Sequence, residues 1–235
     1  MFAMEDMPFD KIKDQIQNDM EPVKPFAPPW RRASFLFGVW VFLVALVILV
    51  FGLRHDTDAL GPWLFWILPL GQLLSAYAVI VLSVRLTVPG SAVATSVLAG
   101  LVFLGAAAHL AVSWIMFYLS PIGVEPGKDF HASSVCLIIT LCLSILPLVT
   151  ALTLSFRGLP TRPLVVGLAC GFASGLSAEA VWRLHCPYNA WSHILTSHTV
   201  AVLAAVILGW VLSFVFSRHF SKRRFRTGSS RHESP

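Results

Sequence analysis

Residues 34–53 read SFLFGVWVFLVALVILVFGL, a run without a single charge. A helix over such a run is about 30 Å long, the thickness of a bilayer's hydrocarbon core. Working outward, five more runs of similar character follow, at 62–84, within 91–118, and at 134–155, 164–182 and 195–216. Short polar stretches rich in Pro and Gly separate them, as turn chemistry expects. Composition agrees with this reading. Of 235 residues, 56% are hydrophobic and 12% charged, against about 25% charged in an ordinary soluble domain. The expected fold is an all-α membrane protein, a six-transmembrane-helix bundle with a short cytoplasmic N-terminal segment. The chain divides into the segment 1–33, the bundle 34–216 and a basic tail 217–235. Gly100, Gly105, Gly167, Gly171 and Gly175 recur inside spans three and five. In lipid such small residues mark close helix packing.

Orientation follows from the basic residues of the short loops. With both termini inside, the cytoplasmic side carries eleven: Lys24, Arg31, Arg32, Arg85, Arg157, Arg162, Arg218, Lys222, Arg223, Arg224 and Arg226. The outer side carries three: Arg54, Lys128 and Arg183. Residues 1–33 are polar and proline-rich, so no cleavable signal peptide is expected ahead of span one. The net charge of +5 then reflects orientation in a bilayer, and no direct nucleic-acid partner is expected. The tail 218–226 is also suited to touch anionic lipid.

With that orientation, residues 184–198, LHCPYNAWSHILTSH, fall in the last outer loop and the start of span six. They hold Cys186, His185, His193 and His198. Cys136 opens span four at a similar depth, while Cys142 lies about 9 Å deeper at the helical rise. Cys170 lies nearer the cytoplasmic end of span five. Only Cys136 and Cys186 share a depth, and it faces an oxidising compartment. Cys142 and Cys170 read as small apolar groups. Glu179 is intramembrane with Arg183 four residues on, a spacing that makes a helical ion pair; a proton relay is the competing reading. His109 in span three has no reading beyond a hydrogen bond within the outer half of the bundle. Trp30, Trp63, Trp182 and Trp191 sit at span ends, as interfacial anchors do.

The first 21 residues, MFAMEDMPFDKIKDQIQNDME, contain six acids and two lysines. Phe9, Ile12, Ile16 and Met20 recur at spacings of three and four, which predicts a short helix with an apolar stripe beside an acidic face. A helix this short is marginal alone in water and orders best against a partner. The prolines of PVKPFAPPW then make a stiff, extended connection. The segment reads as a docking peptide on a spacer, or as an amphipathic stretch lying on the membrane.

Several motifs occur together and in order: DMEPVKPFAPPWRR before span one, GLRHD closing it, VPG after span two, SSVC opening span four, RGLPTRPLVVGLACG into span five, and LHC followed by a histidine in span six. Over about residues 18–216 this pattern resembles the NrsF-type membrane anti-sigma factors. The resemblance implies a six-span inner-membrane protein with both termini cytoplasmic. Its N-terminal segment would hold an extracytoplasmic-function sigma factor until stress releases it. The docking positions it implies are Asp19, Pro22, Val23 and Pro25, beside the apolar stripe of Phe9, Ile12, Ile16 and Met20. It also implies that Cys136 and Cys186 act together as a sensor. A disulfide is one form of that pair. The other is a regulatory metal ion held by Cys136, Cys186 and His185, with His131 and His193 as further donors. No other cofactor is expected. One departure from the family pattern is Ser197, which precedes His198 where the family usually has Trp.

Other classes find less support in the residues. A disulfide oxidoreductase usually brings two cysteines on one loop, and each outer segment here offers one. A haem protein needs facing axial ligands, and only His109 and His198 lie within spans. A small transporter wants polar groups at the midplane, for which Gln72 and Pro69 are the only hint. No Walker, Ser/His/Asp or paired-carboxylate arrangement is present. The chain reads as a sensor and tether, not an enzyme.

Overall fold

The computed structural model describes residues 13–14, 17, 27–88, 94–119, 129–158 and 160–229. Six helices are long and apolar enough to cross a membrane: α1 (Pro29–Phe51), α2 (Gly61–Arg85), α3 (Thr95–Leu119), α4 (His131–Phe156), α5 (Pro163–Trp182) and α6 (Trp191–Arg218). No strand occurs among the described residues. The expected all-α, six-span bundle is therefore the observed one. Phe9, Ile12, Ile16, Asp19, Met20, Pro22, Val23 and Pro25, the proposed docking positions, lie outside the described residues. Lys13, Asp14 and Gln17, between them, are helical and exposed.

Helix ends follow local chemistry. α1 starts at Pro29, earlier than the apolar run at 34, because a proline in the first turn is preset for helical φ. Its two parts, Pro29–Ala33 and Phe35–Phe51, meet at Ser34. Gly52 ends α1 at φ 79°, and Gly61 breaks the chain ahead of α2 at φ 71°. Both angles favour glycine.

The centre of the bundle is α5. Its residues from Ala169 to Trp182 are all buried, and it packs most extensively on α6, then on α4 and α2. A helix can be surrounded this closely only if its side chains are small. Gly167, Gly171 and Gly175 meet the α6 backbone at Gly209, Ala205 and Val202. Gly105 packs on the Phe172 ring, whereas Gly100 faces open space and takes no part in packing. The outside is apolar, with Leu49 84% and Trp63 78% exposed, as lipid contact requires. Trp182 departs from the anchor expectation. It is buried and packs edge-on against Phe51 at 5.1 Å, because α5 lies inside the bundle from Ala169 to its end.

A buried clamp ties two connections together at the end of the bundle where α5 finishes. The Arg54 N–H donates to Leu184 O at 2.9 Å. The Arg54 guanidinium donates to Asp56 Oδ2 at 2.6 Å and to Pro187 O at 3.2 Å. The α1–α2 connection thereby fixes the stretch that carries Cys186.

Candidate functional site

The site begins with the way α5 stops. Arg183 keeps helical angles, and the Cys186 N–H donates back to Trp182 O at 3.0 Å. Pro187 has no N–H to continue the ladder. Cys186 is thus held in a tight final turn, facing the first turns of α4. There its Sγ lies 3.7 Å from Cys136 Sγ. From the start of α6, His193 Nε2 comes to 3.5 Å from the Cys186 sulfur. All three residues are buried, and their ligand atoms lie within 4.8 Å of one another. His193 Nδ1 sits 3.3 Å from the Ser133 hydroxyl, which fixes the ring. The neighbouring Cys136, and then burial, push the Cys186 thiol well above its ordinary pKa.

Both cysteines are free thiols, with their sulfurs in contact at 3.7 Å. A disulfide needs the sulfurs about 2.0 Å apart, so the pair must close by more than 1.5 Å from its present 3.7 Å. A tetrahedral ion has metal–sulfur bonds of about 2.3 Å and metal–nitrogen bonds of about 2.0 Å, which sets S···S near ~3.8 Å and S···N near ~3.5 Å. The observed separations of 3.7 and 3.5 Å match both. Two thiols and an imidazole are the donor set of zinc and of softer thiolate-binding metals. Two of the three separations fit such an ion as they stand, and the three ligand atoms lie within 4.8 Å of one another.

Of the expected donors, the structure brings Cys136, Cys186 and His193 together. His185 is not beside the sulfurs as the third ligand. Its Nδ1 lies 3.1 Å from Gly52 O, and its ring packs on Phe51 and Trp182. The tight turn ending α5 points it toward α1. His131 and His185 instead line a cavity of about 270 Å³ that also reaches both cysteines. Cys170 is buried beside Ser155 Oγ at 3.6 Å. Cys142 is exposed on the outside of α4 and is not the buried group expected of it.

A second polar cluster lies deeper, and the sequence showed its members only singly. Glu179 pairs with Arg183, as the spacing predicts. The same carboxylate accepts a hydrogen bond from Gln72 Nε2 at 2.7 Å. His109 Nδ1 lies 3.5 Å from Glu179 Oε2 and His198 Nδ1 lies 3.7 Å from Oε1. Arg183 also donates to Ser113 Oγ at 2.6 Å, and His109 Nε2 reaches Thr199 Oγ1 at 3.2 Å. Gln72, His109, Glu179 and His198 are all buried. Four polar residues on four apolar helices at one depth was the available signal. Both span histidines face this carboxylate, which accounts for His109 and turns the pair away from the role of axial ligands.

Comparison with known proteins now has a geometry to attach to. The family profile described as "Negative regulator of sigma F" matches residues 17–219. The Anti-sigma-F factor NrsF of Caulobacter vibrioides (strain NA1000 / CB15N) is 30% identical over 209 residues, covering 85% of this chain and 94% of that protein. No solved structure matches. A match of this extent runs through every helix described above, and the chain belongs to the NrsF family of negative regulators of sigma F.

Proposed function

We propose that the protein is an integral-membrane anti-sigma factor of the bacterial inner membrane, with both termini cytoplasmic. It holds an extracytoplasmic-function sigma factor through its N-terminal segment and keeps it from RNA polymerase. It lets the sigma factor go when the outward-facing Cys136–Cys186 pair captures a thiol-binding metal ion. Its partners are that sigma factor and the lipid bilayer, and its role is regulatory, without catalysis. The observation that carries the sensing step is the convergence of Cys136, Cys186 and His193, with sulfur–sulfur and sulfur–nitrogen separations of 3.7 and 3.5 Å that suit an ion. The 11-to-3 distribution of basic residues supports the orientation. A ligand shifts such a two-state equilibrium only by its differential affinity for the two states. The sensing state is therefore the one in which the three donors converge on the ion.

The test is a thiol double-mutant cycle in cells carrying a sigma-dependent reporter. Cys136→Ser and Cys186→Ser should each blunt induction by a similar amount, and the double variant should add little, because residues sharing one site are not additive. Cys142→Ser and Cys170→Ser should respond like the wild type. Additive losses would separate the two thiols and remove the shared site. Induction that survives loss of His193 but not of either cysteine would favour a disulfide, formed as the two thiols give two electrons and two protons to a two-electron oxidant.

Topology has its own check. A reporter fused after Gly127 should read the outer side, and one fused after Arg226 the cytoplasm. A cytoplasmic signal at Gly127 would turn the thiols inward and end the sensing argument.

A further inference from the structure

We propose that His198 and Glu179 are positioning residues that carry the state of the thiol cluster to helices α2 and α3. The proposal rests on the sensing reading above. The contacts are continuous. His193 touches Cys186, and its ring meets His198 edge-on, with centroids 5.3 Å apart. His198 Nδ1 lies 3.7 Å from Glu179 Oε1. The other carboxylate oxygen is bound to Gln72 on α2 and faces His109 on α3. The chain thus runs from the thiols on α4 and the α5 turn, through α6, to α5 and out to α2 and α3. Only α1 stands outside it.

Two features make this more than structural support. First, an ionised buried pair holds helices together no better than apolar residues of the same volume, because of the desolvation it carries. Buried ionisable groups in a membrane protein are functional candidates by default. Second, the arrangement is only partly satisfied. Gln72 Oε1, Ser197 Oγ and His198 Nδ1 are buried without a hydrogen-bond partner. Orphaned groups of this kind call for an explanation, and an alternative arrangement in which they are paired supplies one.

On this proposal the helical irregularity that the route crosses has a second, α-helical form. Ile194–Thr199 is a π-helical turn, and His193 lies just before it while His198 lies within it. Such a turn holds one more residue than an α-helical turn. Closing it to α-helix would rotate His193 relative to His198 by about 100°, one residue's share of a turn. When an ion fixes His193 Nε2 beside the two sulfurs, the position of that ring is set by the ion and no longer by its contacts with Ser133 and Tyr188. His198 follows its neighbour, and Glu179 exchanges partners among Gln72, His109 and the unpaired groups. A two-state element biased from one site and read at another is the physical requirement for coupling.

The experiment uses the full chain in native membranes, with zinc chloride and a copper(I) salt as probes. Two readouts are taken together: protection of Cys136 and Cys186 from a maleimide, and the ratio of sigma-dependent reporter with and without the ion. The variants are Glu179→Gln and His198→Phe; the second keeps the ring contact with His193 and leaves the Glu179–Arg183 pair intact. In both, the ion should protect the thiols at the wild-type concentration. The reporter ratio should fall roughly tenfold toward one, in the range typical of coupling between sites. Full induction in His198→Phe overturns the relay, and so does loss of thiol protection in that variant, since the residue would then merely build the site. If the wild-type thiols are not protected at all, the sensing reading falls first and the relay with it. Glu179→Gln is scored only where its thiols remain protected, and if Glu179→Gln does not accumulate, His198→Phe decides the matter.

Discussion

Gly171→Leu should strip the folded protein from the membrane. A Cβ at this position would stand 2.5 Å from Ala205 O and 2.8 Å from Val206 Cα. Both are backbone atoms of α6 and cannot rotate away. Gly209 presses back on Gly167 and Gly171 in the same manner, so the two helices have no slack along this seam. Adding a side chain must push α6 off α5. That opens the interface between the helices that pack most closely, and it pulls His193 and His198 away from their partners. Overpacking typically costs about 1–3 kcal/mol and occasionally more. Whole domains hold only about 5–15 kcal/mol, and an unyielding backbone places this site at the upper end. The measurement is steady-state abundance in membranes together with thermal unfolding in detergent. Abundance should fall several-fold, the usual consequence of such a loss. Gly100→Leu is the control, since nothing lies within 4 Å of its added Cβ. A Gly171→Leu protein with the wild-type unfolding temperature would show that the seam is not the keystone of the bundle.

Changing Ile12 and Ile16 together to Asp should switch the sigma regulon on without any stress. The sequence spacing of Phe9, Ile12, Ile16 and Met20 predicts one apolar stripe on a helix, and of this stretch the structure describes Lys13, Asp14 and Gln17, which are helical and exposed. Each aliphatic side chain buried against a partner contributes about 1.5–3 kcal/mol. Losing two therefore weakens binding by roughly a hundredfold or more, at 1.4 kcal/mol per factor of ten. Co-purification of the sigma factor with solubilised membranes should fall to background, and the unstressed reporter should rise to its induced level. Lys13→Ala and Gln17→Ala should change neither. If the double variant still represses normally, the stripe is not the binding surface and the segment lies on the membrane instead.

Much of this architecture was legible from the chain alone, for one reason. A bilayer fixes a length of about 30 Å and demands that backbone groups be satisfied within each span. Apolar runs at 34–53, 62–84 and onward therefore specify six helices. Counting residues along each run then gives every side chain a depth. Depth was enough to put Cys136 and Cys186 at one level and to set Cys142 and Cys170 apart from them, while their action as a pair came from the family resemblance. It also marked the glycines of span five as a packing surface, and Gly167, Gly171 and Gly175 do touch α6.

What depth cannot supply is the angle around each helix axis, because hydropathy varies along the membrane normal and not around it. That angle is set by which helices pack together, and it decided the rest. His185 and His193 stand in one loop of the sequence, equally close to Cys186 in depth. Only the tight turn ending α5 turns His185 to Gly52, and only the packing of α6 against α4 brings His193 to the sulfurs. Gly100 and Gly105 look alike along span three, yet one faces open space and the other the Phe172 ring. Gln72, His109, Glu179 and His198 sit on four separate helices. Their convergence on one carboxylate exists only because α5 lies at the centre, a position that its small side chains permit but that only the assembled bundle creates.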